Sequence, residues 1–393
     1  FVYIGQQNFN AAIKKFETAN RIQPSNKNLK ILIGLLHYCK NDHKNANKLF
    51  DEYIKFDREN EIPYLAKAMT YYNIHQYDKV SENLAEVIRL QPSNVSYIAF
   101  QFLNEYKKGN YDYATKLAQD ALGLCKSKEE RIAIMGFLEY IYIVKGQIEN
   151  ALELMRERVS LSNEYAIPDI GIKIRVQTVF SDFIEPLTMK IPIMEILPRE
   201  MEGLAWLVQN KKLDSPDEIL QMIPISEPGF NGTRSIAKIF YYIYIGNADS
   251  ADYIMSDYNL SYSSSAFQFP PLGYIYEYKM DYSTAFQYYS DYYYILSNEK
   301  FSDNPFIIAQ YNNMCRCYRE MGQLNEAEKH LHSILRYYPY NPDLNYEMAL
   351  TKEKLGKTSQ AKKHYQSALK VWKDASVDFE RVNIVREKLR KLD

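Results

Sequence analysis

The chain has 393 residues, of which 46% are hydrophobic and 25% are charged, a composition typical of folded rather than disordered proteins. Its 48 Lys and Arg residues balance 49 Asp and Glu residues, so the formal net charge is -1 and no overall positive field favours nucleic acid or anionic membranes. With only 14 glycines and 15 prolines, a strand-and-turn architecture of this length is excluded and a mainly helical protein is indicated.

The N-terminal third contains a repeat with a period of 34 residues. Gln-Pro-Ser-Asn occupies 23–26 and recurs at 91–94, an interval of two periods. A small or branched residue recurs at every period, at Ala12, Ala46, Val80 and Ala114. Four positions after each one stands a larger or apolar residue, at Phe16, Phe50, Leu84 and Ala118. Because residues four apart share a helix face, each period predicts a pair of amphipathic helices, and hairpins of this size must stack to stay folded.

This pattern resembles the tetratricopeptide repeat, whose unit favours Gly or Ala at position 8, Tyr at 11, Ala at 20, an aromatic residue at 24, Ala at 27 and Pro at 32. The unit 27–60 matches with Gly34, Ala46 and Phe50. The unit 61–94 matches with Ala68, Tyr71, Tyr77 and Pro92. In this register Phe1 falls at position 9, so we expect that the first hairpin lacks its opening residues and that the chain is a fragment of a longer one.

The repeat continues through 95–128 and through a unit marked by Tyr142, Gly146 and Ala151, which is displaced by 37 residues rather than 34. A second array follows, with Ala251, Ala285, Ala327 and Ala361 at intervals of 34, 42 and 34. Apolar residues at helical spacing within Val377–Leu392 predict a final helix that covers the last hairpin.

Between the two arrays the repeat disappears, and seven of the 15 prolines fall within residues 166–231. Long helices cannot run through so many prolines. Short helices are predicted at Glu200–Gln209 and after Ser215, which is followed by proline and two acidic residues. The segment is either an irregular joint or a degenerate repeat, with a specialised docking element as the functional interpretation.

The predicted fold is therefore all-α: an α-α superhelix, or solenoid, of antiparallel helix hairpins of the tetratricopeptide kind, with an irregular central interruption and a C-terminal capping helix. The predicted division is an N-terminal array at 1–165, a Pro-rich joint at 166–231, a C-terminal array at 232–375 and a capping helix at 376–393.

No motif predicts catalysis, a cofactor or a metal site. Gly356-Lys-Thr-Ser lacks the first glycine of a phosphate-binding loop, since residue 351 is threonine, and Gly356 is interpreted as an interhelix turn like Gly146 and Gly322. The six histidines form no H-E-x-x-H arrangement. The four cysteines are interpreted as buried thiols, and Cys315 and Cys317 point to different sides of one helix.

The resemblance implies which residues line a concave groove, because positions 2, 5, 9, 12 and 13 of the first helix face that surface in the family. In the first array these positions include Ile31, Leu35, Tyr38, Leu65, Met69, Tyr72, Leu103 and Tyr106. This apolar wall suits a hydrophobic helix or extended segment, whereas family members that hold a terminal carboxylate use Lys and Asn there. The unit 308–341 adds Asn312, Arg316 and Arg319, which suit an acidic stretch. The alternative is that tight winding makes these residues contact one another.

The leading functional prediction is a non-enzymatic scaffold that binds a protein or peptide in the concave groove. The alternative is a regulatory or sensing domain of a larger polypeptide whose catalytic or DNA-binding part lies N-terminal to Phe1. RNA binding is opposed by the neutral charge. No run of about 20 apolar residues predicts membrane insertion, and the lack of a disulfide framework favours the cytoplasm over the periplasm.

Overall fold

The computed structural model describes residues 8–24, 26–161, 238–239, 241–243, 245–262, 269–298, 305–377 and 379–392. Within these ranges the regular elements are helices, and no strand occurs. The all-α prediction is thereby confirmed. The predicted joint at 166–231, with its two short helices, lies outside the described residues.

Contacts between Cα atoms divide the chain into two compact units. The described part of the first unit runs from residue 8 to residue 130. It contains α1 (Phe9–Ile22), α2 (Asn28–Cys39), α3 (His43–Ile54), α4 (Glu61–Asn73), α5 (Tyr77–Leu90), α6 (Val95–Lys107) and α7 (Tyr111–Leu122).

The second unit begins at Arg131, three residues into α8. Its helices are α8 (Lys128–Val144), α9 (Ile148–Leu161), α10 (Ala248–Tyr262), α11 (Phe269–Tyr278), α12 (Tyr282–Asn298), α13 (Pro305–Glu320), α14 (Leu324–Leu335), α15 (Pro342–Lys354), α16 (Thr358–Val371) and α17 (Glu380–Leu392), with a 3₁₀ turn at Trp372–Asp374. Thus α8 and α9, which we predict as part of the array at 1–165, are grouped by contact with the second unit. The division into repeat arrays stays a prediction.

Each unit is built by stacking helix hairpins. In the first, each helix from α1 to α7 packs against the next, and α2 also packs against α4. In the second, the same succession runs from α10 to α17, and α13 also packs against α15. First helices of consecutive hairpins therefore lie side by side, as the stacking argument requires.

The two helices of a hairpin differ in burial. In the first helix, α2, seven residues are buried, whereas its partner α3 buries only Ala46, Phe50 and Tyr53. The sequence explains the difference, because α2 reads Asn-Leu-Lys-Ile-Leu-Ile-Gly-Leu-Leu and is apolar on most sides, while α3 has one apolar stripe. The first helix is thus enclosed, and the second presents a polar face to solvent.

The residues of the 34-residue grid hold the hairpins together. The alanines and the valine at position 20 are almost inaccessible to solvent in both units: Ala12, Ala46, Val80, Ala114, Ala151, Ala251, Ala285, Ala327 and Ala361 are at most 2% exposed. A small residue is required there because the two helices approach closely. The register predicted from the sequence is confirmed at each of these positions.

The turn between the two helices recurs in one conformation. Position 15 of the unit has a positive φ in eight hairpins, at Asn41, His75, Gly109, Gly146, Gly246, Met280, Gly322 and Gly356. The next residue donates its N–H to a carbonyl five positions back, as in Asp42 to His37 at 2.9 Å and Lys357 to Lys352 at 2.9 Å. This is the Schellman arrangement that ends a helix. The interpretation of Gly146, Gly322 and Gly356 as interhelix turns is confirmed.

The C-terminal residues close the second unit. Trp372 is 1% exposed, and its ring packs against Phe379 with centroids 5.2 Å apart. Its Nε1–H donates to the carbonyl of Val144 at 3.0 Å, and the N–H of Ser376 donates to the carbonyl of Gly146 at 2.9 Å. Helix α17 packs on α16, as predicted for a cap. The residues before α17 also contact the turn between α8 and α9, which the sequence did not predict.

Among the described residues, none of the helices combines the length and the apolar character needed to cross a bilayer.

Candidate interaction surfaces

The apolar residues predicted to line a groove in the first unit are largely enclosed. Ile31, Leu35, Leu65, Met69, Tyr72, Leu103 and Tyr106 are each at most 6% exposed. Tyr72 packs edge-on against Phe100, with ring centroids 5.5 Å apart. A partner reaches these side chains only if the groups that cover them move. Their role as binding residues stays a prediction.

Tyr38 is the accessible member of the predicted set in this unit. It is half-buried near the end of α2, and its hydroxyl accepts a hydrogen bond from the Nδ2 of exposed Asn73 at 2.9 Å. Asn73 ends α4 and stands at position 13 of its unit, next to Tyr72, which is the equivalent of Tyr38. Burial raises the pKa of the Tyr38 phenol, which therefore remains a neutral hydrogen-bonding group at physiological pH.

Arg316 and Arg319, the predicted ligands for an acidic stretch, are already paired within the second unit. Arg316 binds Glu277 through both Nε and Nη2, the latter at 2.8 Å. Arg319 forms an ion pair with Glu347, and both side chains are at most 8% exposed. Burial alone would lower the pKa of Arg316, but the Glu277 carboxylate outweighs that effect and raises it. Neither guanidinium group is free for a partner's carboxylate.

These pairs belong to a network that links consecutive hairpins. Glu277 lies in α11 and Arg316 in α13, while the hydroxyl of Tyr289 in α12 also donates to Glu277 at 2.8 Å. Asn312, the remaining predicted groove residue, is 9% exposed on α13. Because an unpaired buried charge is strongly destabilising, the network specifies the packing of these hairpins rather than presenting charge to a ligand.

Two of the four cysteines are buried as predicted. Cys315 and Cys317 are inaccessible to solvent, and burial raises the pKa of Cys317 to about 12. Cys39 and Cys125 are half-buried, so the prediction of a buried thiol is wrong for these two, and none of the four cysteines forms a disulfide. In the described part of the chain, no three His, Cys, Asp or Glu side chains come together in a group suited to a metal ion.

The sequence analysis missed two shallow furrows between second helices in the first unit. One, of about 730 Å³, lies between α3 and α5 and includes Lys44, Lys48, Lys55 and Lys79 in its lining. The other, of about 550 Å³, lies between α1 and α3 and has a mixed lining that includes Glu17, Arg21 and Glu52. The sequence could have indicated the first furrow. At about 100° per residue, Lys44, Lys48 and Lys55 lie within an arc of about 40° around the axis of α3, on one side of the helix.

The buried positions, the paired helices and the repeated turn together define the class of fold. Both units are built from helix hairpins of the tetratricopeptide type, with the small residue at position 20 enclosed in each. Comparison of the sequence with protein-family models and with curated proteins finds no match.

Solved structures that align with this chain have low sequence identity to it. The crystal structure of the APC/C hetero-tetramer Cut9-Hcn1 aligns over 99% of this chain and 82% of that chain, with 12% identity and a TM-score of 0.43. A tetratricopeptide repeat protein from Parabacteroides merdae ATCC 43184 aligns over 84% and 98%, with 12% identity and a TM-score of 0.35. The P58(IPK) TPR domain aligns over 93% and 98%, with 12% identity and a TM-score of 0.28. At TM-scores below 0.5 these likenesses carry no argument about partners, and the assignment of the repeat class rests on this chain's own register.

Proposed function

We propose that the chain is a non-enzymatic scaffold for protein–protein interactions. One observation carries the proposal: packing encloses the first helix of each hairpin but uses only a few positions of the second, whose other positions are partly or fully exposed. The second helix of each hairpin shows this most clearly, since α3 buries three residues of twelve and α7 buries four of twelve. The exposed positions are free to differ between hairpins, which supports a stack with several distinct binding faces.

The inner face of α2, α4 and α6 remains one proposed binding surface. Its accessible part is Tyr38 with Asn73. A phenol beside a carboxamide combines apolar area with hydrogen-bonding capacity, a pair of properties enriched at protein interfaces. A charge at Leu35 or Met69 would be placed in an enclosed site and would unfold the hairpin rather than report on binding.

The proposal is tested by affinity purification of the chain from its native cells after chemical crosslinking, with mass spectrometry of the crosslinked peptides. We expect partner proteins whose crosslinks map to exposed lysines of folded hairpins. The matched control is Ala46→Trp, which overpacks a fully buried position and disrupts the first unit.

Two variants refine the test. Tyr38→Ala with Asn73→Ala is expected to reduce recovery of a partner held at the inner face while leaving the helical content unchanged. If wild type recovers no protein above the Ala46→Trp background, the scaffold proposal is wrong.

A further inference from the structure

The larger furrow of the first unit is an open depression between two hairpins. Its volume is about 730 Å³. One wall is α3, and the opposite side is formed by Tyr71 of α4, by Ile74 and Gln76 in the turn between α4 and α5, and by Lys79 of α5. The lining comes from two consecutive hairpins, so the furrow exists only when the hairpins are stacked.

Four ammonium groups surround this furrow. Lys44, Lys48 and Lys55 are exposed on α3 and at its C-terminal end, and in the described chain no carboxylate lies within ion-pair distance of them. Lys79 extends from α5 over the ring of Tyr71, 4.9 Å from its centroid.

The two carboxylates in the same lining are already neutralised by other lysines. Asp51 accepts from Lys67 at 2.6 Å, and Glu52 accepts from Lys30 at 3.0 Å. Lys67 lies on α4 and Lys30 on α2, and neither lysine belongs to the furrow lining. The furrow therefore carries a local positive charge although the whole chain is nearly neutral.

The spacing of the lysines indicates the shape of the ligand. From Lys44 to Lys55 the helix rises about 16 Å. An extended peptide spans that distance in about five residues.

We propose that the furrow between α3 and α5 binds an extended acidic segment of a partner protein, with its carboxylates on Lys44, Lys48, Lys55 and Lys79. The inference rests on the proposed scaffold function and names the class of partner. A nucleic-acid strand fits less well, because the Tyr71 ring in the lining is covered by Lys79 and offers no open face on which a base could stack.

The test measures fluorescence anisotropy of a labelled peptide of about twelve residues, alternating glutamate and serine, titrated with the purified 393-residue chain. We expect saturable binding that weakens about tenfold between about 50 and 300 mM NaCl, because exposed ion pairs are screened by salt. The same peptide with glutamine in place of glutamate is expected not to bind.

Lys44→Glu with Lys48→Glu is expected to weaken binding at least about tenfold, since two favourable charges become repulsive. The matched control is Lys363→Glu with Lys370→Glu, which makes the same charge change at exposed positions of α16 in the second unit. Circular dichroism melts check that each variant is folded. If the first pair fails to fold, Lys44→Gln with Lys48→Gln takes its place.

The inference is overturned if the folded wild type does not bind the glutamate peptide, or if both charge reversals weaken binding equally. Tighter binding of an oligouridylate of the same length would also overturn it and would indicate a nucleic-acid surface. None of these results bears on the scaffold proposal, which depends on the recovery of crosslinked partner proteins.

Discussion

At the scale of single residues, the packing of each hairpin depends on a matched pair at positions 8 and 24. Gly34 faces Phe50 so closely that an added Cβ would lie 2.6 Å from the ring, and Gly273 faces Tyr289 in the same way at 2.4 Å. Other hairpins divide the volume differently, with Ala68 and Leu84 in one and Phe102 and Ala118 in another. These four residues are at most 2% exposed. In each pair the two side chains together fill a similar volume, but the larger side chain stands at position 24 in some hairpins and at position 8 in another.

This compensation predicts a coupled pair of substitutions. Gly34→Ala alone should destabilise the first unit by about 1–3 kcal/mol, because the new methyl group overlaps the Phe50 ring. Gly34→Ala with Phe50→Leu recreates the pair found at Ala68 and Leu84, and it should cost at least about 1 kcal/mol less than the sum of the single changes. Urea denaturation of the four proteins of the cycle measures the coupling. If the changes in the free energy of unfolding are strictly additive, residues 34 and 50 do not compete for the same space.

The interhelix turn predicts opposite effects at two equivalent positions. Met280 has a φ of 61° and Gly322 a φ of 76°, and Met280 is 76% exposed. Met280→Gly should therefore stabilise the protein by about 1 kcal/mol, since only glycine adopts this conformation without strain. Gly322→Ala should destabilise it by about as much, although nothing lies within 4 Å of the added Cβ. Thermal melts of both variants give the signs, and equal signs would refute the explanation.

A third residue-scale prediction concerns pH. His364 is half-buried, and its pKa is lowered, first by burial and then by the charges of Lys352 and His332. Its Nδ1 lies 2.9 Å from Oδ1 of Asn345. The unfolded chain protonates this histidine near pH 6.5, and the folded chain does so only at lower pH. The free energy of unfolding therefore falls as pH drops below about 6.5. His364→Gln should flatten this decline in denaturation curves between about pH 7 and 5, and an unchanged slope would count against the assignment.

At the scale of helices, the C-terminal closure has a clear expected cost. Trp372→Phe keeps an aromatic ring but removes the hydrogen bond to Val144, and it should cost about 1 kcal/mol. Trp372→Ala also leaves a cavity in the core formed with Phe379 and should cost about 3–5 kcal/mol. Val377→Ala, at a residue that is 93% exposed, is the control and should change little. Urea denaturation should give the largest loss for Trp372→Ala, a smaller loss for Trp372→Phe and the smallest for Val377→Ala. Any other order would mean that the contact with the α8–α9 turn does not stabilise the second unit.

The helices and turns could be predicted from the sequence where the contacts that determine them lie within a single hairpin. The small residues at Ala46 and Ala285, and the turns at Gly146 and Gly322, follow from the close approach of two helices and from one turn conformation. The bond from Trp372 to Val144 joins residues 228 apart, and no local pattern encodes it.

The candidate surfaces were harder to predict for the same reason. Position in the repeat shows which side of α2 carries Leu35, but not what encloses that side chain. The pairing of Arg316 with Glu277 likewise depends on the next hairpin. The furrow lysines are visible in the sequence, whereas the neutralisation of Asp51 by Lys67 is a property of the stack.

At the scale of the whole molecule, each unit is a stack of interdependent hairpins, and we propose that its exposed positions bind partner proteins. The chain as a whole is nearly neutral, but the furrow is locally positive. The furrow lysines are balanced by acidic residues elsewhere in the chain. In the proposed scaffold, partners would therefore be recognised by local surfaces rather than by a long-range field.

The most direct test is hydrogen exchange with mass spectrometry on the chain alone and in complex with a partner recovered by crosslinking. We predict added protection confined to a few peptides that contain exposed positions, with the segments around Ala46, Ala285 and Ala361 equally protected in both states. Absence of added protection anywhere, or a general loss of protection on binding, would contradict the claim that a folded stack serves as the scaffold.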